Sequence, residues 1–263
     1  MTPSFDHVAR DFNTARAIPP EALAEVADAA LRLLPCDGRI LDIGIGAGRT
    51  ALPLLARGLN LAGLDRSLPM MQRLRAELPA GARFPILIGG DAARLPFADG
   101  AFDAALSVHV FQLLPQWRAA VLEVRRILKP AGVFLFGYET RPPDSPGARL
   151  LARWRAIVRA AGGSDGAGET PGGRDLDEIA AEMQRLGAEM EERRAGAWTN
   201  TRSLARHFEA IEHRTWAADW PAPPGFFARC LDELRAWALA EYGPLETEFT
   251  VPHTFVWQAF RWR

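Results

Sequence analysis

Cysteine and lysine are nearly absent from this chain of 263 residues: two cysteines, Cys36 and Cys230, and one lysine, Lys129. Two cysteines in a chain without a visible secretory signal read as free or buried thiols in a reducing compartment. They give no support to a disulfide framework or a metal site. Arginine supplies the rest of the 31 basic side chains, a pattern that reads as codon bias from a GC-rich genome rather than anion chemistry. No stretch of roughly 18 uncharged apolar residues exists, which excludes a spanning helix. Residues 1–13 carry acids and no apolar run, so they are not a secretory signal, and the expectation is a cytoplasmic protein. Net charge is −1, from 31 basic against 32 acidic side chains, which makes no case for nucleic acid or membrane as a partner. No cluster of His, Cys, Asp or Glu has metal-ligand spacing, so no metal is expected.

What is present is an ordinary globular composition, 48% apolar and 24% charged, in a chain long enough to bury a large core. Apolar periodicity predicts a helix over 19–34 and then short apolar strands at 39–43, 60–65, 83–89, 102–108 and 133–138. Helices are predicted between them at 50–57, 68–78 (with Ser67 as the cap) and 117–128, and a turn at Lys129-Pro130-Ala131-Gly132. Strands that are apolar without alternation are covered by helices on both faces, so the fold class is α/β, a doubly wound, mostly parallel sheet. The regularity ends near residue 140. Helices are predicted at 150–161, 176–186, 201–211 and 226–242, and a strand fits 189–197. Residues 162–173 form a glycine-rich loop that fits either a surface linker or a substrate-gating lid. The alternating tail, 251–262, reads as an antiparallel edge strand.

The residues that carry chemistry are Leu41-Asp42-Ile43-Gly44-Ile45-Gly46-Ala47-Gly48-Arg49, a strand running into a glycine turn that opens a helix. Glycines allow close backbone approach to a ligand, and the helix start offers unpaired N–H groups. A glycine triplet alone is shared with nucleotide oxidoreductases. Two features argue against a dinucleotide: Asp42 would repel a pyrophosphate, and the spacing is G-x-G-x-G. Asp65 closes the second strand, where a carboxylate can accept from both hydroxyls of a ribose. Asp91 and Ala92 follow the third strand, where an acid and a backbone N–H can read the edge of a purine lying between Arg66, Met70 and Ala92. Nothing in this constellation demands a phosphate.

These motifs, in this order and spacing, resemble class I S-adenosylmethionine-dependent methyltransferases of the small-molecule type 11 group, over about residues 5–140. The resemblance implies a seven-stranded Rossmann-like sheet with an antiparallel last strand, and S-adenosyl-L-methionine as cofactor. It implies that Asp42, Gly44, Gly46 and Gly48 surround the methionine half, Asp65 holds the ribose, Arg66 and Met70 flank the adenine, and Asp91 and Ala92 read its edge. Ser107 and His109 follow the fourth strand, at the methyl-donor end. Phe5-Asp6-x-x-Ala9-x-x-Phe12 resembles a cofactor-covering segment, with Phe12 standing where a tyrosine is common. Arg16 is either a partner for the methionine carboxylate or a solvated charge beside a helix. Relatives often carry a second histidine shortly after the first; here Phe111, Gln112, Leu113 and Leu114 stand instead.

The expected activity is methyl transfer to a small, fairly apolar organic acceptor. The alternatives are a non-catalytic S-adenosylmethionine-binding module and, further off, a nucleotide-dependent oxidoreductase. His109 is the candidate catalytic residue, as a general base or as a histidine that only packs against the cofactor. Of eight tryptophans only Trp117 precedes residue 150. Trp198, Trp216 and Trp220, with His213, either line an acceptor pocket or pack added helices on the sheet. The expected division is a cofactor core at 1–140, a mainly helical acceptor elaboration at 141–245 and a final strand at 246–263. A monomer or homodimer is expected.

Overall fold

A computed structural model of the chain describes residues 6, 9, 13, 17–79, 81–163, 176–212 and 225–262. Its first elements are α1 (Pro20–Leu33), β1 (Ile40–Ile43), α2 (Ala51–Ala56), β2 (Leu61–Asp65), α3 (Leu68–Ala76) and β3 (Ile86–Gly89). Next come β4 (Phe102–Val108), a 3-10 turn (Phe111–Leu113), α4 (Trp117–Ile127), β5 (Leu128–Thr140) and α5 (Pro146–Ala160). The chain ends with α6 (Leu176–Arg185), β6 (Ala188–Ser203), α7 (Leu204–Glu212), α8 (Phe226–Tyr242) and β7 (Glu248–Trp262).

The seven strands form one sheet in the order β3-β2-β1-β4-β5-β7-β6. β1 to β5 are parallel, and β7 runs antiparallel to both β5 and β6. This is the doubly wound, mostly parallel fold expected from the strand pattern. Helices cover both faces. α1 and α2 pack on one face with Leu106, Leu135 and Trp257. α4 and α6 pack on the other with Leu41, Phe134 and Phe260. α5, α7 and α8 build a third apolar cluster around Leu150, Trp154, Phe208 and Leu234. The indole Nε1 of Trp257 donates to the Val26 carbonyl at 3.0 Å and ties β7 to α1.

Three boundaries differ from the sequence reading, each for a tertiary reason. The tail is not an edge strand: β7 lies between β5 and β6, and residues 255–260 are buried on both faces, Val256 and Gln258 as well as Phe255 and Trp257. The edge belongs to β6, so the segment 141–245 contributes a strand to the sheet in addition to helices. The predicted turn at 129–132 lies inside β5 as an irregularity, where pairing with β4 jumps from Phe102↔Leu128 to Ala104↔Val133. The expected helix at 201–211 begins only at Leu204, because pairing with β7 holds β6 extended as far as Ser203↔Glu248.

Two consequences position the site. The strand order reverses beside β1, and in open α/β sheets the crevice at the carboxyl ends of the strands there receives ligands. The β6–β7 pairing also continues past the last β5 pair, Thr140↔Thr254, through Trp198↔His253 to Ser203↔Glu248. A two-stranded ribbon therefore rises above the carboxyl edge.

Candidate functional site

The glycine turn leaves β1 and is pinned over β2, with the N–H groups of Gly44 and Ile45 both donating to the Leu64 carbonyl, at 2.7 and 3.1 Å. Gly44 has φ +77°, and a Cβ there would stand 2.2 Å from the Val110 side chain. Gly46 has φ +54°, and a Cβ there would stand 3.2 Å from the end of the Met70 side chain and 3.8 Å from the Asp65 carboxylate. Both line a solvent-open cleft, together with Asp65, Arg66, Met70, Ala92 and His109.

Asp65 closes β2 and is held by backbone: its carboxylate accepts from the Gly46 and Ser67 N–H groups, each at 2.8 Å. Burial pushes its pKa up, the N–H bonds from Ser67 and Gly46 oppose that, and Asp6 pushes it further up. Ser67 caps α3, accepting from the Met70 N–H at 3.3 Å, and its hydroxyl also donates to the Asp6 carboxylate. Ala9 packs with Ala47 and Met70, and the Asn13 amide donates to the Ala47 carbonyl at 3.0 Å. The described residues of the N-terminal segment thus lie over the glycine turn.

Several expected residues do not line the cleft. Asp42 is buried behind the turn, and its pKa is driven well above the carboxylate range, first by burial and then by the charge of Asp65. Gly48 is backed by Leu74. Asp91 stands at the rim, accepting from the Ala93 N–H at 2.9 Å and lying 3.7 Å from Arg66. Ser107 is fully buried, and its hydroxyl donates to the Ile43 carbonyl at 2.8 Å, tying β4 to β1. Trp198, on the ribbon, stacks on the His253 ring at 5.4 Å. Phe12, Arg16, His213, Trp216 and Trp220 lie outside the described residues, as do residues 164–173 of the glycine-rich loop.

The other side of the cleft carries His109, the candidate catalytic residue, with partners that the sequence reading missed. His109 follows β4 in a left-handed conformation, φ 57°, which is uncommon for a residue with a side chain. Its Nδ1 lies 3.1 Å from the Gln112 amide nitrogen, and its Nε2 lies 3.4 Å from the Glu139 carboxylate. With the amide donating, Nδ1 accepts and the ring proton faces Glu139. Gln112 stands in the short stretch where a second histidine was missed. Arg49 completes the set, with Nη1 2.6 Å from Glu139. Burial raises the Glu139 pKa, but the His109 hydrogen bond and the Arg49 charge outweigh it and hold it down to about 2. One signal was legible: Arg49 ends the glycine motif, whereas Glu139 is recognisable only once β5 is known to lie beside β4. Among the described residues no group of three or more His, Cys, Asp or Glu could hold a metal ion, and no helix is long and apolar enough to cross a membrane.

Comparison with known proteins bears on this arrangement. A family profile described as a methyltransferase domain matches residues 41–136, the span from β1 to β5 that builds the cleft. A malonyl-[acyl-carrier protein] O-methyltransferase of Geobacter sulfurreducens is 31% identical over 198 residues, 70% of this chain and 68% of that protein. The chain belongs to the class I S-adenosylmethionine-dependent methyltransferases, type 11 family. A methyltransferase of Mycobacterium bovis is 33% identical over 123 residues, 47% of this chain; the match spans only 46% of that relative, about half its length. The fold of this methyltransferase family member is shared by the YcgJ protein of Bacillus subtilis, with a TM-score of 0.57 at 21% identity, over 92% of this chain and 99% of that one.

Proposed function

We propose that this chain binds S-adenosylmethionine in the cleft and methylates a small organic acceptor, with residues 1–140 serving the cofactor and 141–245 the acceptor. One observation carries the reading. A single cleft has Gly44, Gly46, Asp65, Met70 and Ala92 on one side and His109, backed by Glu139 and Arg49, on the other. The residues fit the cofactor. A Cβ at Gly46 would enter the space above Asp65, so the turn leaves room for a ligand beside a carboxylate that suits hydroxyl or cationic groups better than a pyrophosphate. The Mycobacterium bovis and Geobacter sulfurreducens relatives are named as methyltransferases, the latter acting on malonyl-[acyl-carrier protein].

In the proposed roles, the glycine turn cradles the methionine half and Asp65 accepts from the ribose. Arg66, Met70 and Ala92 enclose the adenine, with Asp91 at its edge. When bound, S-adenosylmethionine supplies an already activated electrophilic methyl group. The chain's own work is therefore to align an acceptor in line with it and to exclude water. His109 takes the acceptor proton, where one must leave, at Nδ1, the acceptor hydroxyl or amine displacing the Gln112 amide from that nitrogen. Glu139 faces the Nε2 proton and stabilises the imidazolium that forms, and Arg49 keeps that carboxylate in place.

Calorimetry with S-adenosylhomocysteine tests the cofactor site. Asp65→Ala should weaken binding by about 1.5–3 kcal/mol, the range for a hydrogen bond to a charged group. Unchanged affinity sinks the ribose role. Incubation with S-adenosylmethionine carrying a deuterated methyl group, followed by mass spectrometry of metabolites, tests turnover; cofactor binding without any labelled product favours the non-catalytic module.

A further inference from the structure

We infer that the outer edge of β3 is a dimer interface, on which a second copy of this chain lays its own β3 antiparallel and continues the sheet across a two-fold axis at Leu87. The inference does not depend on the cofactor reading. β3 ends the sheet, with β2 on one side and, among the described residues, no strand on the other. The register Asp65↔Gly89, with the Gly90 N–H donating to the Asp65 carbonyl at 3.0 Å, fixes which main-chain groups point where. Those of Ile86, Ile88 and Gly90 face β2. Those of Pro85, Leu87 and Gly89 face outward, because successive residues of a strand alternate. A Cβ at Gly89 would meet nothing within 4 Å, so the edge is open there.

The side chains leave this edge apolar. Ile86 is 70% exposed and Phe84 55%. The cause is the connection to β4. Residues 90–101 make turns and no helix, so the helical layer of α4 and α6 reaches Ala62 and Ile88 at its margin and stops short of Ile86. The opposite edge of the sheet is guarded. β6 exposes Glu189, Glu191, Glu192, Arg193 and Arg194 and is bulged between Arg194 and Gly196, both common defences of an edge strand. β3 carries no charge from Phe84 to Gly90. Its one defence is Pro85, which removes a single outward donor.

Self-complementarity selects the occupant. With Leu87 of one copy opposite Leu87 of the other, these residues exchange both N–H···O bonds, and the Gly89 N–H of each copy reaches the Pro85 carbonyl of the other. Ile86 then meets Ile88 across the seam, in the closely spaced positions that reward apolar pairs. The same register sets Arg83 of each copy opposite Asp91 of the other, so opposite charges close both ends. Arg83 is exposed and, among the described residues, pairs with no carboxylate; Asp91 stands 3.7 Å from Arg66. A shift of the pairing by two residues in either direction puts Arg83 against Gly89 or Ala93 and loses the match. Backbone, apolar contact and charge thus agree on one pairing, and it is a pairing of this strand with itself. Gly90 and Ala92 line the cleft, so the seam adjoins the cleft rim.

Sedimentation velocity on the full chain without ligand, from about 1 to 200 µM, tests the inference. A seam of this kind falls at or below the roughly 1,200 Å² of standard complexes, so a concentration-dependent dimer is expected rather than a permanent one. Ile86→Lys changes an exposed side chain; it should keep the melting temperature and weaken dimerisation by roughly tenfold or more. Arg83→Asp should weaken it by roughly fivefold, and adding Asp91→Arg should restore it. A chain that stays monomeric throughout overturns the inference and leaves the β3 edge to a partner of another kind. A dimer that Ile86→Lys leaves intact overturns it as well, since the interface then lies elsewhere. A dimer that Ile86→Lys breaks but the double charge exchange does not restore overturns the pairing at Leu87. None of these readings uses S-adenosylhomocysteine, so failure here and failure of the methyltransferase reading are seen separately.

Discussion

The Nε2 atom of His109 lies 3.4 Å from a Glu139 carboxylate oxygen that Arg49 holds at 2.6 Å. A histidine that takes a proton becomes a cation, and a fixed carboxylate stabilises that cation most when both are shielded from water. Glu139→Gln keeps the shape and removes the charge. We expect turnover to fall by roughly 10- to 100-fold, about 1.4–2.7 kcal/mol of barrier, with S-adenosylhomocysteine affinity nearly unchanged. Steady-state kinetics across pH decide it. A variant with the wild-type pH–rate profile shows that Glu139 does not act on the proton.

The same carboxylate makes a prediction about acid stability. Its pKa is held down to about 2 in the folded protein, against roughly 4.3 for an unperturbed glutamate. A group depressed on folding contributes stability that is complete above the unfolded value and disappears as pH falls through the folded one. The wild type should therefore lose melting temperature between about pH 4.3 and 2 more steeply than Glu139→Gln. Parallel curves for the two proteins refute the strength of this ion pair.

Asp42 should behave in the opposite sense. Burial and the neighbouring Asp65 raise its pKa well above the usual range. A carboxyl group raised on folding costs stability at neutral pH; the cost shrinks as pH falls below the folded pKa and is gone below the unfolded one. Asp42→Asn should then raise the melting temperature of the ligand-free protein near pH 7. It should also weaken S-adenosylhomocysteine binding. Thermal melts with and without the nucleoside measure both effects. A variant less stable without ligand shows that Asp42 supports the turn rather than burdening it.

The course from β1 to β5 was legible because short apolar strands and capped helices follow local rules that tertiary contacts reinforce. Ser67, Phe102–Val108 and Phe226–Tyr242 stand where the residues alone place them. Gly44, Gly46, Asp65 and His109 could be placed at the carboxyl ends of β1, β2 and β4 from the strand pattern, and there they line one cleft. The position of β7 was not. Phe255, Trp257 and Ala259 set against Thr254 and Gln258 suit an edge, and only the pairing of β6 beyond it buries the far face. Glu139 was hidden likewise: nothing local distinguishes an acid at a strand end, and its meaning comes from His109 on the adjacent strand. Ser107 failed for a related reason, because adjacency to the site in sequence carries no information about which face of β4 its hydroxyl occupies.

Gly44 and Gly46 separate folding from binding. At Gly44, φ is +77° and a Cβ would lie 2.2 Å from Val110, a branched side chain that cannot swing away. Gly44→Ala combines left-handed strain with overpacking and should cost about 2–4 kcal/mol, enough to lower the melting temperature sharply. At Gly46, φ is +54° and the nearest atom is the Met70 methyl at 3.2 Å, the end of an adaptable chain. Gly46→Ala should cost only about 1–2 kcal/mol. Its methyl group, however, enters the cleft 3.8 Å from the Asp65 carboxylate, where the bound nucleoside is proposed to sit. We therefore expect Gly46→Ala to remain folded and to lose S-adenosylhomocysteine binding by more than its stability loss explains, as read by calorimetry on protein checked for a cooperative melt. If Gly46→Ala binds as the wild type does, the ligand does not approach the turn and the proposed cofactor cradle is wrong.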